Sequence, residues 1–192
     1  SGLFGALTAS AEEPTVYTEG LYSYTVSDYK ATIVGCSSSI RGSVTVPSHL
    51  GGYLVTAIGD SAFADSDELT GIVLPDSVIK IGNYAFSNCI WLSTFALPSN
   101  IETLGCMILR GCKEIKSITI PNTLTKAWDY IHGIYERGAF DGSSIETVVF
   151  EPGFTQIPDH ILRDCKTLKS VTIPSGVATI GVCSFLNCTA LS

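Results

Sequence analysis

Apolar positions recur along the chain at a fixed spacing of 23 residues. One column of this pattern holds Ile58, Ile81 and Leu104, each followed by glycine, and the same spacing separates Ile157 from Ile180. A fixed period of this length indicates a stack of small units, each of which buries its apolar face against its neighbours. The pattern therefore predicts an elongated solenoid rather than a closed globule.

Each unit contains one short segment of alternating β-branched residues that ends in proline. Leu69–Pro75 and Ile115–Pro121 are examples, and a shorter extended piece follows each, as in Val78–Ile81. Alternation with a period of two is typical of a half-buried strand, and proline ends such a strand because it cannot donate a ladder hydrogen bond. The pattern predicts one parallel β-ladder, with short turns or 3₁₀ segments on the other side of the stack.

Two further columns predict the interior of the stack. The larger side chains are Phe63, Phe86, Leu109, Phe140, Leu162 and Phe185, which we expect to form an apolar spine. The smaller ones are Cys89, Cys112, Cys165 and Cys188, with Ser66 and Ser143 in the same place. A position that takes Cys or Ser is typical of a small buried site. Free thiols are therefore favoured, and disulfides are the lesser alternative because stacked side chains point the same way.

The amino-terminal part departs from the repeat. Residues 1–19 are predicted to be a signal-peptide remnant or a linker, because Ala9-Ser10-Ala11 fits a cleavage pattern although a charged region before it is missing. Residues 20–54 are predicted to be a β cap, since the segments flanking Asp28 and Tyr29 alternate like a hairpin. Residues 55–192 are predicted to hold the repeats, with an insertion at about 128–136.

Charge and hydropathy exclude several function classes. The net charge of −7 argues against nucleic acid and against electrostatic docking on anionic lipid. No apolar run approaches the roughly 20 residues of a membrane helix, so membrane insertion is not expected. The histidines lack metal-ligand spacing, and the acidic turn at Asp65, Asp67 and Glu68 lacks a calcium loop, which favours a solvated turn. No catalytic motif or cofactor is predicted.

The segment Ile72–Leu92 resembles the BspA-like, or Treponema pallidum-type, leucine-rich repeat. It contains a strand ending in proline, then Val-x-x-Ile-Gly, Ala-Phe-x-x-Cys and a final Leu, and the resemblance covers about residues 20–192. Leu109, Leu162 and Pro158 depart from the family pattern. The resemblance implies a right-handed solenoid that is exported or displayed on microbial surfaces, with roles in adhesion and protein binding and no catalytic residues to transfer.

The insertion differs from the rest of the chain because it is rich in ring side chains. Trp128, Tyr130, His132 and Tyr135 lie within eight residues. Tyrosine and tryptophan are frequent at binding hot spots, and insertions in repeat proteins often carry specific contacts. These residues are the candidate ligand-binding site, and the alternative is that the rings cover the spine. The outward ladder row is small and uncharged by comparison.

The sequence thus favours an exported or cell-surface module that binds a protein or a cell-surface glycan without catalysis. One alternative is a non-catalytic accessory module of a larger secreted enzyme. Another is a self-assembling surface component that associates end to end through an uncapped carboxyl-terminal repeat.

Overall fold

The protein is a β-solenoid of about six turns, seen in a computed structural model that describes residues 13–131 and 135–192. Strands and turns make up this part of the chain, and no helix in it is long and apolar enough to cross a membrane. The solenoid predicted from the 23-residue period is confirmed.

The strands are short because each belongs to one side of a turn of the solenoid. In chain order they are β1 (Tyr17–Glu19), β2 (Tyr22–Ser27), β3 (Lys30–Cys36), β4 (Gly42–Thr45), β5 (His49–Leu50), β6 (Tyr53–Ile58), β7 (Leu69–Val73), β8 (Lys80–Ile81), β9 (Thr94–Phe95), β10 (Thr103–Leu104), β11 (Ser117–Ile120), β12 (Lys126–Ile131), β13 (Tyr135–Gly138), β14 (Thr147–Phe150), β15 (Gln156–Ile157), β16 (Ser170–Thr172) and β17 (Thr179–Ile180).

A β-hairpin closes the amino-terminal end of the stack, as the sequence predicts. Strands β2 and β3 pair antiparallel across Asp28 and Tyr29, whose φ angles of 49° and 58° suit a type I′ turn. Strand β3 then pairs parallel with β6, which joins the hairpin to the first turn. Strand β1 pairs antiparallel with β2, so ordered sheet extends into the segment that the sequence assigned to a leader or linker.

Parallel ladders run along two sides of the stack. The first ladder comprises β4–β7–β9 and β11–β14–β16, and the second comprises β3–β6–β8–β10–β12 and β15–β17. The sequence predicted only the first ladder and turns opposite it. The second forms because stacked turns lie one strand spacing apart, about 4.8 Å, so that even two extended residues can pair with the turn above.

The core lies between the two ladders and follows the predicted aromatic spine. Phe63, Phe86 and Phe140 are completely buried, and the rings of Phe63 and Phe86 stack with their centroids 5.3 Å apart. Phe185, in the last turn, is only partly buried. Neighbouring turns thus bury each other's spine residues in the middle of the stack.

Three of the four cysteines in the predicted column, Cys89, Cys112 and Cys165, are buried, and all seven cysteines are free. The thiols of Cys89 and Cys112 each donate to the carbonyl oxygen of a spine residue in the preceding turn, at 3.1 Å in both cases. Cys188 makes the same contact with Leu162 at 3.0 Å but is half-buried in the last turn. The serines of this column, Ser66 and Ser143, are buried as well.

Candidate functional site

The outward row of the first ladder is exposed, as the sequence predicts. Its residues are Thr45, Val73, Ala96, Thr119, Val149 and Thr172. The ladder breaks between β9 and β11, beside Phe95, the only aromatic residue in its inward column. A cavity of about 460 Å³ lies at this break, between Asp76 and Glu151. The first ladder therefore offers a smooth uncharged face with one irregularity.

The ring-rich insertion forms a β-hairpin, defined here by its two strands β12 (Lys126–Ile131) and β13 (Tyr135–Gly138). Strand β12 begins as the next rung of the second ladder, pairing Lys126 and Ala127 with β10, and then continues outward to pair antiparallel with β13. The sequence predicted an insertion at about 128–136, and the structure shows that this segment continues a strand of the second ladder. Alternating residues after Ala127 extend the ladder strand instead of ending it at the usual glycine turn.

The four candidate ligand-binding residues have different positions. Trp128 is half-buried; its ring lies 5.2 Å from the His160 ring, and the ammonium of Lys126 lies 5.3 Å from its centroid. Tyr130 pairs through its backbone with Glu136, and Tyr135 pairs with Ile131. His132 lies outside the described residues. The hairpin therefore brings Trp128, Tyr130 and Tyr135 into one element, and their role in binding stays a prediction.

A cluster of charged residues fixes the base of the hairpin to the following turn. Glu136 on β13 receives the imidazole of His160 at 3.1 Å and the guanidinium of Arg163 at 3.6 Å. The neighbouring Arg137 reaches the carboxylates of Asp141 at 3.3 Å and Asp164 at 3.6 Å. Glu136 and Arg137 are neighbours of opposite charge, and each contacts side chains whose charge is opposite to its own. The ionic cluster therefore specifies how the hairpin docks.

His160 is the buried centre of this ionic cluster, with 4% of its surface exposed. Its Nδ1 lies 3.4 Å from a guanidinium nitrogen of Arg163, which is a donor only, so Nδ1 is the acceptor. Nε2 then carries the proton and donates to Glu136. His160 therefore links the carboxylate of Glu136 to the guanidinium of Arg163 through its two ring nitrogens.

Asp141 is the residue of the ionic cluster whose charged form is disfavoured by its surroundings. Burial raises the pKa of its carboxyl group, and the nearby carboxylate of Asp164 raises it further. Arg137 opposes both effects by stabilising the charged form. The charged cluster therefore contains a carboxylate that the fold partly disfavours.

A cleft lies beside the hairpin, between the turn that carries β12 and the turn that carries β15. It encloses about 320 Å³, and Trp128 stands at one end of it. Its other lining residues include Asn122, Leu124, Thr125, Gly153, Phe154, Thr155, Gln156, Pro158 and Asp159. We call this space the wedge. It has both polar walls and apolar residues at its floor.

Sequence reasoning found the hairpin rings but missed the ionic cluster and the wedge. Glu136 and Arg137 were visible in the sequence as a charged pair at the end of the insertion. Their partners in the segment His160–Asp164 follow more than 20 residues later. Only folding brings these residues together. Among the described residues, no group of three or more His, Cys, Asp or Glu side chains is arranged to hold a metal ion.

The fold defines the class of this protein as a repeat protein of the solenoid type. The model of the BspA type leucine rich repeat region matches residues 56–192 in six copies. The chain therefore belongs to the BspA-type leucine-rich repeat family. No curated protein matches it.

Several solved structures are similar to this chain. A leucine rich cell surface protein from Faecalibacterium prausnitzii has 27% identity and a TM-score of 0.69, and the match covers 95% of this chain and 55% of that one. A leucine-rich repeat protein from Bacteroides ovatus has 24% identity and a TM-score of 0.68, covering 91% and 45%. The Treponema pallidum leucine rich repeat protein has 22% identity and a TM-score of 0.63, covering 90% and 88%.

The last two of these likenesses show the fold alone. The chain spans 55% of the Faecalibacterium protein and 45% of the Bacteroides ovatus protein. Membership of a family of repeat surface proteins supports a protein-interaction module. The family and the fold are those of generally non-catalytic proteins.

Proposed function

We propose that this chain is an exported or cell-surface module that recognises a protein or glycan partner and carries out no catalysis. Residues 20–54 would serve as the amino-terminal cap and residues 55–192 as the repeats, with a leader remnant or linker in residues 1–19. The observation that carries the proposal is the hairpin, because it interrupts an otherwise repetitive surface once and projects from the second ladder.

The hairpin suits selective recognition better than the first ladder does. The ladder repeats small uncharged residues at each step, so it supplies shape but few distinguishing contacts. The hairpin carries three of the candidate binding residues, Trp128, Tyr130 and Tyr135, and the fourth candidate is His132 of the same insertion. Its base is held by the ionic cluster around His160, which limits the entropy lost when a partner binds.

The test is a binding measurement on immobilised epithelial surface proteins and mucin glycans. We expect the double variant Trp128→Ala and Tyr130→Ala to bind more weakly by at least ~2 kcal/mol, which is the scale of a hot spot. The matched control is Trp91→Ala, because Trp91 is 59% exposed and lies outside the hairpin. Thermal unfolding of the same samples separates lost contacts from lost structure.

Two results would contradict the proposal. Full binding by the double variant would remove the hairpin from the interface. Binding that falls only in proportion to the unfolded fraction would make the rings structural, in keeping with the contact between Trp128 and His160.

A further inference from the structure

One rung of the second ladder is missing, and it lies in the wedge. At four other steps, an amide donates to the carbonyl of the preceding turn: Ile79 to Thr56 at 3.0 Å, Glu102 to Ile79 at 2.9 Å, Thr125 to Glu102 at 3.0 Å and Ala178 to Thr155 at 2.8 Å. The equivalent bond from Thr155 to Thr125 is absent from the described hydrogen bonds. The Thr155 amide and the Thr125 carbonyl therefore lack the ladder hydrogen bond that their counterparts make at the other steps.

The hairpin explains why this rung is missing. The amide of Ala139, just after β13, donates to the carbonyl of Ala127 at 2.9 Å. The amide of Lys126 points toward β10, and its nitrogen lies 3.2 Å from the carbonyl oxygen of Glu102. Successive residues of a strand direct their backbone groups to opposite sides, so the carbonyl of Ala127 points away from β10. The returning chain thus occupies the ladder position beside β12, and β15 pairs only with β17.

The same two turns stay in contact at the opposite end of the wedge. The side-chain amide of Asn122 donates to the carbonyl of Pro152 at 2.6 Å. Along the chain, Thr125 and Thr155 therefore lie between this contact and the position that Ala139 occupies beside β12. The wedge is closed at one end by Asn122 and bounded at the other by Trp128 and the hairpin.

The two free backbone groups define what chemistry can bridge them. The Thr125 carbonyl needs a donor, and the Thr155 amide needs an acceptor. A trans secondary amide offers both in opposite directions, because its N–H and C=O groups point to opposite sides, as they do within a ladder. A carboxylate cannot donate to Thr125, and an ammonium cannot accept from Thr155.

The shape of the wedge selects among secondary amides. A continuous peptide lying along the strands would have to pass the closed end at Asn122, whereas a pendant group can enter from the open side. Leu124 and Phe154 are buried at the floor, where they can contact a methyl group. Gln156 and Asp159 lie at the polar rim, within reach of hydroxyl groups.

We propose that the wedge binds the acetamido group of an N-acetylated amino sugar. In this arrangement the acetamido N–H donates to Thr125, its C=O accepts from Thr155, and its methyl group contacts Leu124 and Phe154. The sugar ring lies at the mouth beside Gln156. This inference rests on the proposed function as a binding module and names the ligand chemistry of one site within it.

The first test needs no ligand and asks whether the rung is open in solution. In the wild type, we expect the amide of Thr155 to exchange with deuterium faster than those of Thr125 and Ala178, which are paired. Thr155→Pro should then lower the melting temperature far less than Thr125→Pro, because proline removes a hydrogen bond only at Thr125. Slow exchange at Thr155 would mean that its amide is already paired, which would overturn the inference.

The second test uses defined probes on the ¹⁵N-labelled full chain. The trisaccharide of N-acetylglucosamine should shift the amide resonances of Thr155 and Gln156 and slow exchange at Thr155. The trisaccharide of glucosamine, which lacks the acetyl group, should bind at least about tenfold more weakly, the factor that corresponds to one hydrogen bond. Thr155→Pro should weaken the first probe to a similar extent, and Thr172→Ala on the first ladder should leave it unchanged.

Other results would overturn the assignment. Equal binding of both trisaccharides would remove the acetamido group from recognition. Equal or tighter binding of N-acetylglycine methylamide would assign the wedge to peptide amides rather than to sugars. Absence of shifts within residues 153–159 would remove the wedge as a site.

The two proposals fail in different ways. If surface partners lose binding in the Trp128 and Tyr130 double variant while neither trisaccharide perturbs the wedge, the binding module stands and the sugar site falls. If the N-acetylated trisaccharide binds while the double variant keeps all its surface partners, the wedge stands and the hairpin rings are not the interface.

Discussion

Phe86 shows at the scale of one residue how buried side chains stabilise the repeat. Its ring is completely buried, stacks on Phe63 at 5.3 Å and contacts Phe95 edge-on at 5.1 Å. Removing it leaves a gap between turns that the paired ladders prevent from closing. We expect Phe86→Ala to reduce the free energy of unfolding by ~3–5 kcal/mol.

The control for Phe86→Ala is Thr119→Ala, on the exposed outward row. A substitution there removes no buried surface, so the change should be within about 0.5 kcal/mol. Urea unfolding of both variants measures the difference. Comparable losses would mean that the inward and outward faces have been assigned the wrong way round.

The thiols give a second prediction at this scale. Burial raises the pKa of Cys89 to about 12 and that of Cys112 to about 11, which disfavours the nucleophilic thiolate. Both should resist alkylation at neutral pH until the protein unfolds, and the half-buried Cys36 and Cys188 should react before them. Mass spectrometry of timed samples measures this order. A disulfide between Cys89 and Cys112 in the native protein would contradict it.

The hairpin is the element whose position is decided by charge rather than by apolar packing alone. Its return strand is held through Glu136 and Arg137 to His160, Arg163 and Asp164 of the next turn. Partly buried ion pairs of this kind add modest stability but impose a defined geometry. The hairpin should therefore respond to pH more than the ladders do.

Asp141 makes that response measurable. Burial first, and Asp164 second, raise the pKa of its carboxyl in the folded state, so the folded protein binds this proton more tightly than the unfolded chain does. The contribution of Asp141 to stability is therefore most favourable at acidic pH and is lost as pH rises through the raised pKa. The wild type should lose stability relative to Asp141→Asn as the pH rises above about 3.9, the pKa of an unperturbed aspartate, and through the raised pKa of the folded state.

Urea unfolding of the two proteins at each pH measures this difference, with Asp67→Asn on an exposed turn as the control. A difference that stays constant with pH would mean that Asp141 gains as much from Arg137 as it loses by burial. A difference of opposite sign would mean that Arg137 dominates.

The 192 residues form a linear stack, so a protein of these residues alone should lose stability toward the turn whose apolar column is exposed. Ile81 and Leu104 are completely buried in middle turns, whereas Ile180 in the last turn is 56% exposed. In repeat proteins each turn is stabilised mainly by its neighbours. Amides of the last turn should therefore exchange with deuterium before those of the middle turns.

Hydrogen exchange at low protein concentration tests this gradient, with the paired amides of Gly105 and Gly181 as equivalent reporters. Both donate to the preceding turn, at 2.8 Å and 2.9 Å, so the local bond is the same. Equally slow exchange at both would contradict the gradient and would mean that the last turn is covered in solution.

Much of the architecture was predictable from the sequence because each turn repeats the same local information. The spacing of Ile58, Ile81 and Leu104 predicted the solenoid, and Asp28 with Tyr29 predicted the capping hairpin. The second ladder was missed, since segments of two extended residues, such as Lys80–Ile81, give almost no signal by themselves. They pair only because the stack supplies a neighbour on each side.

The candidate site was less predictable because it depends on how the insertion interrupts the stack. The sequence by itself determined the repeat, the buried columns and the presence of a ring-rich segment at Trp128, since these follow from residue types at fixed spacing. Only the tertiary structure decided that the segment returns beside β12, that Glu136 meets His160, and that Thr125 and Thr155 lose their rung. These features arise from contacts between residues that are distant in the sequence. An unpaired backbone group, moreover, cannot be recognised from the residue types in the sequence.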